Sequence, residues 1–180
     1  MAIGDLITQS EIALKELLLI GLSTLLLLPV TGYAAVELEP NDSTGSAQSI
    51  PLSQDITGSI STSDDYDVYA IELSQAGQVT LSFRTTERDY TGWIYEIYDP
   101  QGNLLAGDEC SGSTCQNGIT LSAGIASSGT HYIRIRSASS YSSPAGQYTF
   151  SFTFNADTTG IELEPNDSTG SAQSIPLSQD

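Results

Sequence analysis

Tyr148-Thr149-Phe150-Ser151-Phe152-Thr153-Phe154 sets an aromatic ring at every even position and a hydroxyl at every odd one. A strand turns successive side chains to opposite faces, so this stretch reads as a β-strand with one apolar face packed inward. Val79, Leu81 and Phe83 against Thr80, Ser82 and Arg84 repeat the pattern. Outward from these two, short β-branched and aromatic runs alternate with Gly, Ser, Asn and Asp clusters. The strands expected are 56–60, 67–73, 78–84, 93–98, 103–106, 118–122, 131–136 and 147–154. Asp99-Pro100-Gln101-Gly102-Asn103 and Ser143-Pro144-Ala145-Gly146 carry turn chemistry between them. The fold class is all-β: an antiparallel β-sandwich, jelly-roll-like, of about eight strands and without helix.

Residues 37–55 recur without a change as residues 162–180, an offset of 125 residues. Nineteen consecutive identities define one unit, 36–160, and the opening of a second at 161–180. A period this long belongs to a tandem array of whole domains, because solenoid repeats run about 20 to 50 residues.

Residues 17–30 form an apolar run of 14, shorter than the roughly 20 a bilayer span needs and suited to the core of a signal peptide. Gly32 and Ala34 place small side chains where cleavage after Ala34 requires them. Asp5, Glu11 and Glu16 outnumber Lys15 ahead of the run, so 1–34 is a signal peptide or a hydrophobic segment retained as an anchor. Export follows, to the cell surface or beyond, with membrane contact only through this segment. The formal charge is −17, and after residue 35 there are four arginines, no lysine and nineteen acids. Such a surface excludes nucleic acid as a partner, since it cannot neutralise phosphates. Cations are its natural ligands. Cys110 and Cys115 are the only cysteines, and an even count in an exported chain reads as a local disulfide. One histidine, His131, is too few for zinc.

Two acidic groups stand out. In an extended segment Glu37, Glu39 and Asn41 project to one side, and Asp42 begins a turn. Asp64-Asp65-Tyr66-Asp67 sits between two expected strands, where the carboxylates repel one another unless a cation lies among them. Oxygen donors in this number suit Ca²⁺, which takes six to eight, better than Mg²⁺ with its strict octahedron. Isolated surface acids are ordinarily just solvated, and spacing alone does not bring the two groups together.

The succession Glu39-Pro40-Asn41-Asp42-Ser43, Gly58-Ser59-Ile60, Asp64-Asp65-Tyr66-Asp67-Val68-Tyr69, Tyr95-Glu96-Ile97-Tyr98-Asp99-Pro100-Gln101-Gly102-Asn103, Gly129-Thr130-His131-Tyr132-Ile133 and Gly146-Gln147-Tyr148-Thr149-Phe150 resembles the bacterial pre-peptidase C-terminal domain. It is similar also to the related collagen-binding domains of clostridial collagenases. The resemblance implies a β-sandwich whose N-terminal segment folds back over the sheet and shares calcium with the first inter-strand loop. It assigns Glu37, Glu39, Asn41 and Asp42 to the N-terminal half of the site, and Ser59, Asp64 and Asp67 to the sandwich half, Ser59 through its backbone carbonyl. Asp65 has no counterpart in it. Glu162, Glu164, Asn166 and Asp167 are a second half-site, to be completed by a following domain or by a neighbouring copy that accepts this strand.

His131 lacks a Gly-x-Ser-x-Gly elbow nearby, and the reading is of a chain that is not an enzyme. Trp93, Tyr95 and Tyr98 are candidates for an aromatic platform, although alternation puts Trp93, Tyr95 and Ile97 on one face and makes them equally candidates for the core. Asn41-Asp42-Ser43 and Asn166-Asp167-Ser168 satisfy the glycosylation sequon, where a glycan would crowd the metal ligands. The leading functional expectation is a calcium-stabilised structural repeat of a secreted or surface protein, a filament subunit whose partners are copies of itself or adjacent repeats. The alternatives are an adhesive module for collagen, a glycan or another matrix polymer, and a C-terminal accessory domain of a secreted peptidase.

Overall fold

In a computed structural model the alternating stretch at 148–154 runs through the middle of one sheet of a two-layer sandwich. The structure describes residues 34–86, 92–139 and 146–174; the expected leader, save Ala34, and most of the turn at 143–146 lie outside them. Among the described residues ten strands form: β1 (Ala35–Val36), β2 (Gln48–Ser49), β3 (Ile56–Gly58), β4 (Tyr66–Leu73), β5 (Gly77–Thr85), β6 (Trp93–Tyr98), β7 (Leu104–Cys110), β8 (Ile119–Ile125), β9 (Gly129–Ser137) and β10 (Tyr148–Asn155). One sheet has the order β1-β3-β10-β5-β8 and the other β2-β4-β9-β6-β7. The eight strands β3 to β10 pair antiparallel, and only β6 and β7 are consecutive neighbours in one sheet. Every other step crosses the sandwich, which is the winding of a jelly roll.

Two features correct the expectation. The sheets are mixed, because β1 pairs parallel with β3 and β2 parallel with β4, raising the strand count to ten among the described residues. The Gly/Ser-rich stretch after Cys110, read as loop, holds a short helix α1 (Gly112–Asn117). It places Cys115 so that its sulfur bonds Cys110 with Cα atoms 5.4 Å apart, tying α1 to the end of β7.

The core lies between the sheets. Tyr148, Phe150 and Phe152 of β10, Val79, Leu81 and Phe83 of β5, and Trp93, Tyr95 and Ile97 of β6 are all buried. Phe83 stacks on Tyr95 at 5.4 Å and on Tyr148 at 5.7 Å, with Trp93 edge-on to Tyr148. Each such ring withdrawn from water contributes about 2 to 3 kcal/mol. Trp93 and Tyr95 therefore belong to the core and cannot form a surface platform; Tyr98, at the edge of this row, is half-buried. Residues 35–49 run along one edge of the sandwich. β1 adds to one sheet and β2 to the other, and between them Val68 N–H donates to the Asn41 carbonyl at 3.0 Å. This arm joins the two sheets. Among the described residues no helix is long and apolar enough to cross a membrane.

Candidate metal centre

The arm brings its acids against the start of β4. Glu37, Glu39 and Asp67 offer carboxylate oxygens within 4.8 Å of one another, and so do Glu39, Asp42 and Asp65. Glu39 belongs to both groups, which makes one continuous cluster of five carboxylates. Ser59 and Asp64 line the same cleft. The arm and the β3–β4 turn, 20 to 30 residues apart in sequence, thus meet because β1 pairs with β3.

Hydrogen bonds fix the arm side. Asn41 N–H donates to Glu39 Oε2 at 3.1 Å, and Asn41 Nδ2 donates to Glu37 Oε1 at 3.3 Å. Ser59 N–H donates to Glu37 Oε2 at 2.9 Å. Beneath the cluster the hydroxyls of Tyr69 and Tyr148 lie 2.6 Å apart; each also reaches Glu37 Oε1, at 3.2 and 3.3 Å, and Tyr148 donates to Asp67 Oδ2. Gly58 makes room for this pair, since a Cβ there would stand 2.3 Å from the Tyr148 hydroxyl oxygen.

Two acceptors in this floor are left over. Asn41 and Asp67 are fully buried, and Asn41 Oδ1 and Asp67 Oδ1 have no hydrogen-bond partner among the described residues. Buried polar oxygens without a partner cost free energy, and native structures rarely leave them so. Trp93 Nε1 is a third such atom, standing in the core beside Tyr148. Burial above all, then the hydrogen bond and charge of Glu37 and the charge of Asp65, pushes the Asp67 carboxyl up to about 10. Near neutral pH a carboxyl in that setting ionises only when a cation offsets its neighbours. The cluster has the donor set of a hard metal ion: oxygens only, several of them carboxylate, gathered from two segments.

The structure places the expected residues unevenly. Glu37, Glu39, Asp42 and Asp67 supply the clustered carboxylates, Asn41 the buried amide oxygen, and Ser59 a backbone contact. Asp64 is exposed, and its carboxylate joins neither group; Asp65, which the resemblance leaves without a role, is buried and joins Asp42. The swap follows from where β4 begins, since Asp65 directly precedes its first residue, Tyr66. Asp65 and Asp67 lie two apart and share a face, whereas Asp64 faces away. With its Nδ2 bonded to Glu37 and its side chain enclosed, Asn41 is closed to glycosylation. His131 is buried on β9 with Nδ1 against the Gly129 carbonyl at 3.1 Å.

The second copy lies elsewhere. Of Glu162, Glu164, Asn166 and Asp167, Glu164 bridges Ile125 of β8, at the opposite edge of the sheet that begins with β1. Within it Asn166 Nδ2 donates to Glu162 Oε1 at 3.0 Å and Asn166 N–H to Glu164 Oε2 at 2.8 Å. On the outer face of the other sheet, Glu96 pairs with Arg134 and Arg136 at 2.9 and 3.3 Å. The Arg134 guanidinium lies over the rings of Tyr98 and Tyr66, 4.7 and 5.6 Å from their centroids. Burial works against the Glu96 charge, but the two arginines outweigh it and hold its carboxyl below the ordinary range.

No protein-family model and no curated protein matches the chain. Among solved structures it is similar to the pre-peptidase C-terminal domain of a collagenase from Bacillus anthracis, with 23% identity and a TM-score of 0.46 over 59% of this chain and 94% of that one. It is also similar to PliG, a periplasmic inhibitor of g-type lysozyme from Aeromonas hydrophila, with 12% identity and a TM-score of 0.42 over 68% of this chain and 100% of that one. A family 6 carbohydrate-binding module from Clostridium cellulolyticum, solved with xylose, matches with 14% identity and a TM-score of 0.29 over 50% of this chain and 70% of that one.

Proposed function

We propose that the domain is a calcium-stabilised structural module of an exported protein, without enzymatic activity, and that the metal locks the arm to the sandwich. The observation that carries this is the pair of orphaned buried oxygens, Asn41 Oδ1 and Asp67 Oδ1, in the floor of a five-carboxylate cluster. Glu37, Glu39, Asn41, Asp42, Asp65 and Asp67 would hold the ion, with Ser59 and Asp64 beside it. An all-oxygen site of this charge selects Ca²⁺ over Mg²⁺, which sheds its waters reluctantly. The ion joins the arm to β3 and β4, so it stiffens the junction at which one repeat meets the next. Copies arranged in tandem, or joined through the repeated segment, would form a filament outside the cell. Isothermal titration calorimetry of the exported chain with CaCl₂ and with MgCl₂ tests this: saturable calcium binding with much weaker magnesium binding is expected, and heats of dilution alone for both would refute it.

The adhesive reading keeps one observation in its favour. Tyr66, Tyr98, Arg134 and Arg136 gather two of the four arginines that follow residue 35 on one sheet face, beside aromatic rings. That face would suit an anionic matrix polymer or glycan. Binding of a uronic-acid polysaccharide that disappears in Arg134→Ala would establish it.

A further inference from the structure

The second copy of the repeated segment is folded, and folded as the first is. Leu163 N–H donates to Gln173 Oε1 at 2.7 Å as Leu38 does to Gln48 at 2.9 Å. Gln173 Nε2 donates to the Ile161 carbonyl at 2.8 Å as Gln48 does to Val36 at 3.1 Å. The hydroxyls of Ser168 and Ser171 are 2.9 Å apart, as are those of Ser43 and Ser46. The first copy makes these bonds while wrapped around β3 and β4. The second makes them against β8, with no such strands at its side among the described residues, so its conformation is set by its own sequence.

Two sides of this second arm are distinct. One is seated: Glu164 N–H donates to the Gly124 carbonyl at 2.9 Å, and Ala126 N–H donates to the Glu164 carbonyl at 3.3 Å, a parallel bridge on the outer edge of β8. The approach is so close that a Cβ on Gly124 would fall 1.8 Å from the Glu162 carbonyl oxygen, and its three nearest neighbours would all be atoms of the arm. The other side is an open cleft lined by residues 158–162, 166 and 172–174. Shifted by the repeat offset, these are residues 33–37, 41 and 47–49, and this stretch of the first arm carries β1 and β2, which pair with β3 and β4. In the first arm Ala35 N–H and Glu37 N–H donate to the backbone of 55 and 57, whereas Gly160 N–H and Glu162 N–H have no backbone partner among the described residues. The hydrogen bonds that seat the arm on β8 fall on Glu164, whereas the counterparts of the donors that hold the first arm to β3 are Gly160 and Glu162.

We propose that the second arm is a two-sided connector: its Glu164 backbone fastens it to β8 of this domain, and its open cleft takes β3 and β4 of a second copy of the domain. This rests on the reading of the repeated segment as an assembly element and names the surface that holds it. Because 19 residues are identical in the two arms, the second arm replaces the first arm of the next copy without loss of a contact within that segment. A head-to-tail contact of this kind extends into a filament unless its rotation closes a ring.

Three measurements on the full exported chain test the proposal: sedimentation velocity against protein concentration, amide hydrogen exchange at Glu164 and Ala126, and calorimetric titration with CaCl₂. Gly124→Val, and independently Ala126→Pro, which removes a donor on the outward edge only, are expected to speed exchange at Glu164 about fivefold or more, as loss of even one bond worth about 1 kcal/mol requires. Glu162→Pro, which removes the donor a second copy would meet, is expected to leave a monomer where the wild type associates. Calcium binding at the first site is expected to stay within about twofold in all three, because that site lies at the opposite edge of the sheet. Glu164 exchange unchanged in both edge variants overturns the seat. A wild-type chain that remains monomeric at all concentrations in calcium, or a Glu162→Pro chain that associates like the wild type, overturns the clasp, and the titration reports separately on the metal reading.

Discussion

Asp67 carries the largest consequence at the scale of single residues. Its carboxyl keeps its proton up to about pH 10 in the folded, metal-free chain, chiefly because it is buried, and only to about pH 4 in the unfolded one. Between those values the folded state holds the extra proton, so unfolding releases it and metal-free stability falls as the pH is raised through that window. Melts of the chelated chain should show a midpoint that declines from pH 5 to pH 9, and Asp67→Asn should flatten that slope while abolishing calcium binding. Gly58 makes a second prediction. A methyl group there collides with the Tyr148 ring and hydroxyl, so Gly58→Ala should cost about 1 to 3 kcal/mol in urea unfolding, as overpacking does. Much of this site was legible: the side-chain period of an extended chain aligns Glu37, Glu39 and Asn41. Asp64 and Asp65 were not separable in the same way, because which of two adjacent acids faces the arm depends on where β4 begins. The tyrosine floor was also invisible, since Tyr69 and Tyr148 are 79 residues apart and nothing local announces a shared hydroxyl pair.

Among elements, the long strands were readable because each buries a whole alternating face, and β4, β5, β6, β9 and β10 appear close to where the pattern puts them. β1 and β2 were not, because a two-residue strand has no period to show and exists only through its partner. Their parallel pairing is a tertiary fact, supplied by the arm wrapping both sheet edges. Helix α1 was missed for a different reason. Gly-Ser-Thr-Cys-Gln-Asn is a weak helix former, and Ser111 at its N-cap gives no side-chain hydrogen bond. The disulfide to Cys110 ties it down instead. Replacing both cysteines by serine should lower stability by about 2 kcal/mol, the loop-closure value for so short a loop, and should leave calcium affinity unchanged. Chemical denaturation beside calorimetry distinguishes the two effects.

Across the whole molecule, the charge that first appears as bulk acidity divides into parts with different surroundings. Five carboxylates meet at the arm, the acids of the second arm stand at the opposite sheet edge, and Glu96 is held between two arginines. The sandwich and its winding follow from the alternating strands, but the meeting of arm and β4 needs the folded jelly roll, which is why spacing left the two acidic groups apart. In the function proposed above, a cation completes this meeting. A ligand at a thousand times its dissociation constant adds about 4 kcal/mol, which in a domain of this size raises the midpoint by on the order of 10 °C. The most direct test is a thermal melt of the chain in excess CaCl₂ and again in excess chelator, with Asp67→Asn run in parallel. A rise of that order is expected for the wild type in calcium and none for the variant; equal midpoints for the wild type in calcium and in chelator would overturn the calcium reading.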